Sequence, residues 1–300
     1  MKILVTGGAG FIGSHLVAFL VEKGIEVLVF DSLISGKAER IPSGVAFTKG
    51  DIRDRAALAV AMRGVTHVAH LAALVSVAES MTNPLATHDV NVTGTENVLQ
   101  AMREANIQRI VYATSAAVYG DEPSLPKREV SPLQPQSPYA LSKVLNEKQA
   151  DLYERAFGLS PIGLRFFNVY GPGQEGSHPY ASVISRWIEA VLAGKGITIY
   201  GDGSQTRDFI HIRDVVNAIY QALTTSTTGV FNIASGEETS LNKLRTVIRT
   251  AYADSFEVQK ESSHQGDILR SVADISLAQR VLHFEPSVTL TEGISELVRT

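Results

Sequence analysis

Apolar residues along the first half of the chain come in short runs, separated by segments with helical spacing. Residues 2–6 (KILVT) make one run, and 26–30 (EVLVF) make a second that ends at Asp31. Between them, residues 12–23 repeat apolar positions with helix periodicity and stop at Gly24. Residues 45–48, 66–71 (THVAHL) and 109–114 (RIVYAT) predict further strands, with helices between them. Strands that alternate with helices imply a parallel sheet wound on both faces, because a strand covered on both sides reads as a continuous apolar run. The fold class expected is α/β: a doubly wound parallel sheet with a smaller mixed α/β unit.

Residues 120–138 (GDEPSLPKREVSPLQPQSP) break the pattern with Pro, Ser and charge, and predict a surface loop that can border a site. Beyond about residue 172 the alternation fades. Helical patterns cover 180–193, 240–253 and 288–298, and strands are expected near 197–200 and 229–233. The division expected is a first domain over residues 1–170 and a second mainly over 171–300, with segments near 205–235 able to rejoin the first sheet.

Composition removes several classes of function. A chain of 300 residues with 44% hydrophobic content can bury a large core. A net charge of −4 without a long basic run gives nucleic acid no electrostatic footing. The absence of cysteine excludes disulfides, thiolate catalysis and Cys-ligated metal. His67, His70 and His88 lack metal-ligand spacing and read as structural, so no metal is expected. No apolar stretch reaches the roughly 20 residues of a membrane span. MKILVTGGAGFIG runs straight into a strand and a glycine turn without a signal-peptide pattern, so a cytoplasmic protein is expected.

The glycine turn carries the first chemistry. Gly7, Gly10 and Gly13 in TGGAGFIG lie between a strand and a helix. Glycines allow the tight turn and let a pyrophosphate approach the backbone, while the helix N-terminus supplies N–H donors and a positive dipole end. On the glycines alone, a turn that binds nothing reads equally well. Asp31 shifts the balance, since it follows the second strand at the spacing of an acid that accepts from the adenosine ribose. Its carboxylate repels a 2′-phosphate, and Ser32 rather than an arginine follows it, which favours NAD over NADP. Asp51 and Ile52, after the third strand, are expected to border the adenine.

Tyr139 and Lys143, in PYALSK, stand four apart and share a helix face. A free tyrosine ionises near pH ~10. A lysine cation and a positive nicotinamide close by are expected to lower that value and make the phenol a proton carrier. Tyr-xxx-Lys alone is commonly a solvated helix face. Here it follows a dinucleotide motif, and Ser115 is placed at the carboxyl end of a strand, where ligands bind in open α/β sheets.

With these residues in place, the chain resembles the extended short-chain dehydrogenase/reductase family, and within it the nucleotide-sugar 4-epimerases. TGGAGFIG, HLAAL, NVTGT, ATSAAVYGD, SPYALSK, RFFNVYGPG and GDGSQTRDFIH stand in family order over nearly the whole chain. The resemblance implies a Rossmann sheet with a substrate domain, a homodimer, and NAD held and recycled. It implies cofactor contacts from Phe11, Ile12, Asp31, Asp51, Ile52, Leu71, Ala72, Ala73, Asn91, Lys143 and Phe167, beside the glycines and Tyr139. It implies sugar-nucleotide contacts from Ser115, Tyr139, Asn168, Ser182, Val183, Arg207 and Asp267. Arg207 suits a diphosphate, although an ion pair with Asp208 is the plainer reading. The implied reaction is oxidation at the sugar's C4, turning of the 4-keto sugar, and reduction from the other face, with Tyr139 carrying the proton.

Relatives that dehydrate or decarboxylate carry acids just before VYG. This chain has Ala116 and Ala117, which move no protons, so epimerisation is preferred. Ser271, in RSVADIS, occupies a position where epimerases restricted to unacetylated hexoses tend to hold tyrosine; a small residue there implies room for a 2-acetamido group. His264 stands where relatives often have arginine, which weakens the diphosphate assignment. A UDP-glucuronate 4-epimerase stays open, as does a lyase of this fold. A non-catalytic NAD-binding sensor predicts loss of the triad, yet Ser115, Tyr139 and Lys143 are all present.

Overall fold

The computed structural model describes residues 1–176, 182–252, 254–262 and 269–299. Its first half runs β1 (Lys2–Thr6), α1 (Phe11–Glu22), β2 (Glu26–Asp31), β3 (Ala46–Lys49), α2 (Arg55–Ala61) and β4 (His67–His70). Then come α3 (Val77–Thr82), α4 (Pro84–His88), a π turn (Asp89–Thr93), α5 (Gly94–Glu104), β5 (Arg109–Ser115), α6 (Pro138–Phe157) and β6 (Ser160–Phe166). The second half adds β7 (Asn168–Tyr170), α7 (Val183–Leu192), β8 (Ile197–Tyr200), β9 (Thr206–Arg207), β10 (Phe209–His211) and α8 (Ile212–Thr224). It continues with β11 (Gly229–Ile233), β12 (Thr239–Ser240), α9 (Leu241–Tyr252), β13 (Val258–Glu261), α10 (Ser276–Leu282) and α11 (Leu290–Arg299).

Seven parallel strands form one sheet in the order β11-β6-β5-β4-β1-β2-β3. Period-two side-chain alternation explains the continuous apolar runs. Ile3 and Val5 face a core shared with Leu16, Leu20 and Ile219 of α1 and α8, while Leu4 faces another with Leu58, Val98 and Met102 of α2 and α5. The chain leaves β1 toward β2 on one side and returns as β4 on the other, so the crevice opens beyond the carboxyl ends of β1 and β4, where Thr6 pairs with His70. A third core, with Trp187, Ile188, Ile199 and Leu244, lies in the second half.

Strand β6 is one the periodicity does not pick, because Pro161, Gly163 and Arg165 interrupt it. Each interruption has a tertiary cause or tolerance. Pro161 is second in the strand. A Cβ on Gly163 would lie 2.6 Å from the Tyr112 hydroxyl, and Arg165 is neutralised by Glu147 at 2.7 Å. Among the described residues, no helix is long and apolar enough to cross a membrane.

Candidate functional site

The turn after β1 needs glycine for steric reasons that can be read atom by atom. Gly7 has φ +72°, and a Cβ there would lie 2.7 Å from the Ala72 nitrogen. A Cβ on Gly13 would lie 2.1 Å from the Gly7 carbonyl oxygen. Gly10 is the N-cap of α1, and no side chain caps that helix end. The first-turn N–H groups of α1 therefore face a cavity of about 370 Å³ rather than an internal acceptor.

That cavity brings together Gly7, Gly10, Phe11, Ile12, Gly13, Asp31, Asp51, Ile52, Leu71, Ala72, Ala73, Phe167, Ser115, Tyr139 and Lys143. Asp31 is buried and fixed by its own loop: Ala9 N–H donates to Oδ2 at 3.0 Å and Leu33 N–H to Oδ1 at 2.8 Å. Asp51 is held by the Arg53 guanidinium, which also reaches Asp89 at 2.9 Å, and those hydrogen bonds keep its carboxyl below the usual carboxylate range. Ile34, Ser35 and Gln174 also line the cavity. They lie in irregular segments where no local pattern marks them.

Asn91, implied as a cofactor contact, is not among the residues that line the cavity; it lies in the π turn with its side-chain amide engaged. Its Oδ1 accepts from Leu74 N–H at 2.8 Å, and its Nδ2 donates to the Leu74 carbonyl at 2.9 Å and to Ser142 Oγ at 3.1 Å. Asn91 thus clamps the backbone of the loop that forms one cavity wall to the helix carrying Tyr139. A second buried chain supports the same loop. Thr6 Oγ1 lies 2.7 Å from His70 Nδ1, His70 Nε2 lies 3.0 Å from Thr95 Oγ1, and Thr95 donates to the Asn91 carbonyl at 2.6 Å. Because Thr95 spends its proton on Asn91, the ring proton of His70 is assigned to Nε2. Burial drives the His70 pKa down to about 3, so the ring is neutral.

Ser115 ends β5, and its Oγ accepts from Ala117 N–H at 3.2 Å. Helix α6 starts on Ser137, whose Oγ accepts from Ala140 N–H at 3.1 Å, with Pro138 in the first turn. Tyr139 and Lys143 are both buried on the face this start presents to the cavity. Lys143 Nζ donates to the Ala113 carbonyl at 3.0 Å. Burial pushes the Tyr139 phenol above its ordinary value, and the hydrogen bond with Ser115 pulls it part of the way back. Burial likewise pushes Lys143 down to about 8. The lowered phenol expected from the sequence is therefore not a property of the protein alone: desolvation outweighs the neighbouring hydroxyl, and the ammonium is turned to a carbonyl.

A buried network that the sequence does not mark braces this end of the sheet. Glu147, one turn beyond Lys143, accepts from Thr114 Oγ1 at 2.8 Å and from Arg165 Nε and Nη2 at 2.9 and 2.7 Å. Arg165 also donates to the Tyr119 hydroxyl at 2.8 Å, which donates to Asn232 at 2.6 Å. The available signal was the repeat 139, 143, 147 along one helix face, which an acid at its third position extends.

A second cavity, of about 490 Å³, shares Val169 with the first and gathers Asn168, Ser182, Val183 and Arg207 with Arg186, Tyr200 and Gln205. Ser182 is the N-cap of α7. Asn168 Nδ2 donates to the Asp208 carbonyl at 2.9 Å. The plainer reading of Arg207, a pair with Asp208, is not what forms. The Asp208 carboxylate takes N–H donors from Ser235, Gly236 and Ala273 and the Ser235 hydroxyl. Ser271 is half-buried and lines neither cavity. Asp267 and His264 lie outside the described residues.

The sequence pattern of the NAD dependent epimerase/dehydratase family matches residues 3–234. The chain is similar to a putative UDP-glucose 4-epimerase of Methanocaldococcus jannaschii, 40% identical over 298 residues that cover 99% of this chain and 97% of the relative. Its structure is similar to that of the UDP-glucose 4-epimerase of Thermotoga maritima with UDP-glucose, at a TM-score of 0.96 and 33% identity, covering 100% of this chain and 98% of that one. It is also similar to a UDP-N-acetylglucosamine 4-epimerase of Methanobrevibacter ruminantium in complex with UDP-N-acetylmuramic acid, at a TM-score of 0.96 and 35% identity, covering 99% and 97% of the two chains.

Proposed function

We propose that the chain, which belongs to the NAD dependent epimerase/dehydratase family, is an isomerase that inverts C4 of a UDP-hexose through a 4-keto sugar that turns over before it is reduced. The observation that carries this reading is the position of Ser115, Tyr139 and Lys143 in the dinucleotide cavity, beside a second cavity that shares its Val169 wall and holds Arg186 and Arg207. The residues of that cavity would hold NAD, which would supply hydride acceptance and return at C4.

The chain's own residues handle the proton and the positioning. Tyr139 takes the proton of the C4 hydroxyl and gives it back in the reverse half, which is general acid–base catalysis by one group. Ser115 hydrogen-bonds the same oxygen and orients it. Lys143, in the same cavity lining, steadies the phenolate and meets the cofactor. The uncapped end of α1 faces the pyrophosphate, and Asp31 accepts from the ribose.

Elimination and decarboxylation fit less well. Ala116 and Ala117 carry no exchangeable side-chain proton. Glu122 is buried and takes the Lys127 ammonium at 3.0 Å, outside both cavities. Likeness to a UDP-N-acetylglucosamine 4-epimerase supports an acetylated UDP-hexose among the substrates, together with the local pattern around Ser271. The homodimer reading is supported by α6 and its neighbours, where Leu141 and Leu152 lie eleven apart on one face beside exposed Met81 and Leu85.

Product analysis by NMR tests the reaction. NAD-loaded protein is incubated separately with UDP-glucose, UDP-N-acetylglucosamine and UDP-glucuronate. Appearance of the galacto isomers of the first two without net NADH is the expected result. Conversion of UDP-glucuronate alone would replace the hexose by a uronate, and conversion of none would sink the reading.

A further inference from the structure

We infer that Ser80 is a positioning residue for Tyr139: its hydroxyl fixes the backbone from which the phenol projects and ties it to the segment that walls both cavities. This rests on the reading of Tyr139 as the proton carrier. The start of α6 shows why a partner from outside the helix is needed, since the first N–H groups of a helix have no acceptor within it. Pro138 carries no N–H, the Ala140 N–H goes to Ser137 Oγ, and the Leu141 N–H goes to the Ser137 carbonyl at 2.9 Å. The Tyr139 N–H is left over, and it donates to Ser80 Oγ at 3.2 Å. Ser80, on α3, is fully buried. Its own proton goes to the Val77 carbonyl at 2.6 Å, which turns a lone pair toward Tyr139.

The Tyr139 carbonyl is held from the same side. It accepts from Ser142 Oγ at 2.7 Å, that oxygen accepts from Asn91 Nδ2, and the Asn91 amide grips both backbone groups of Leu74. Residues 74–80 thus reach Tyr139 at its N–H directly and at its carbonyl through Asn91 and Ser142, and the two routes close a ring. The same segment walls the site: Leu74 and Val75 line the dinucleotide cavity, and Ala78 lines the second one. Ser80 lines neither, so it reaches the chemistry only through Tyr139. Without its hydroxyl, a buried N–H stays unpaired in the helix turn that carries the phenol. Misplacement of a reacting group by about 1 Å costs on the order of a hundredfold in rate.

The test compares Ser80→Ala, Ser80→Cys and Tyr139→Phe in NAD-loaded protein converting UDP-glucose. Thr289→Ala, which removes a cap from the start of α11 outside both cavities, controls for lost stability. Ser80→Ala lowers kcat about tenfold, part of the loss that full misplacement brings. KM and NAD affinity stay within about twofold. The deuterium isotope effect on kcat with UDP-glucose labelled at C4 rises, because hydrogen transfer becomes the slow step. Ser80→Cys, a weaker acceptor of nearly the same shape, falls between serine and alanine. Thr289→Ala lowers the melting temperature and keeps kcat. An unchanged kcat in Ser80→Ala overturns the inference, as does a loss of kcat matched by an equal loss of NAD affinity, which would make Ser80 a support of the fold alone. Should Ser80→Ala fail to fold, an unchanged kcat in Ser80→Cys overturns it. If the unaltered protein converts no UDP-hexose, or Tyr139→Phe retains kcat, the reading of the site itself fails, and this inference with it.

Discussion

Lys143 Nζ donates to the Ala113 carbonyl at 3.0 Å while standing 5.8 Å from the centre of the Tyr139 ring. The ammonium is thus anchored to β5 beside the phenol rather than bonded to it, and the phenol's hydrogen-bond partner is Ser115. The two groups are shifted in opposite directions by the same cause. Burial favours the neutral form of each, raising the tyrosine and lowering the lysine to about 8.

It follows that the phenol becomes a usable base only when further positive charge is supplied. In protein stripped of NAD, the ultraviolet difference titration between the unaltered chain and Tyr139→Phe should place Tyr139 ionisation above pH ~10, the ordinary tyrosine value. Loading with NAD should bring it down. Tyr139→Phe should keep NAD and lose at least about a hundredfold in kcat, the usual size of a general acid–base contribution. Ionisation at the same pH with and without NAD would contradict this account.

Gly10 and Gly13 serve different ends, and alanine separates them. A Cβ on Gly13 meets the Gly7 carbonyl at 2.1 Å, whereas one on Gly10 meets only that oxygen, at 3.2 Å. Gly13→Ala should lower the melting temperature of the NAD-free protein by several degrees, as about 1–3 kcal/mol of overpacking does. Gly10→Ala should leave that temperature nearly unchanged and weaken NAD binding, read by titration calorimetry.

The Glu147–Arg165 pair is buried and bidentate. Removing either partner alone leaves a buried charge, so Glu147→Leu and Arg165→Met should each destabilise by about 3–5 kcal/mol in urea unfolding. The double variant should lose less than the sum of the two, because the orphaned charge is gone. Additive losses would mean that the two side chains do not act as a pair.

His70 makes stability depend on pH. In the unfolded chain it protonates near 6.5, while in the folded chain it stays neutral down to about 3. Above pH 6.5 both states hold it neutral and it contributes no slope. Below that, the unfolded chain takes up a proton that the folded one refuses, so stability falls by about 1.4 kcal/mol per pH unit from this group. His70→Asn should be less stable at neutral pH, yet show a flatter decline between pH 6.5 and about 5 by that amount. An unchanged slope would mean that His70 is not the neutral buried ring described.

Strands β1, β2, β4 and β5 were legible because both faces of each are covered, and their apolar runs need no partner to be recognised. Strand β6 was not, since Gly163 and Arg165 are explained only by Tyr112 and Glu147, which arrive from other elements. The segment 120–138 read as an irregular loop and is one up to Ser137, with Pro138 opening α6. In the site, the glycine turn, Asp31 and the Tyr139–Lys143 pair were visible because each is a local spacing. Asn91 was assigned to the cofactor by pattern; that its side chain also joins the Leu74 backbone to Ser142 of α6 was not legible, because those contacts come from elements distant in sequence. Glu147 and Arg186 follow helical spacing from residues already marked, and become informative only once the cavities around them are seen.

The central claim, reversible oxidation and reduction at one carbon, is tested most directly with UDP-glucose carrying deuterium at C4. The NAD-loaded protein should yield the galacto isomer with deuterium kept at C4, no label in solvent and no net NADH. Loss of the label to water, or a product lacking the C6 oxygen or carboxyl group, would contradict the account.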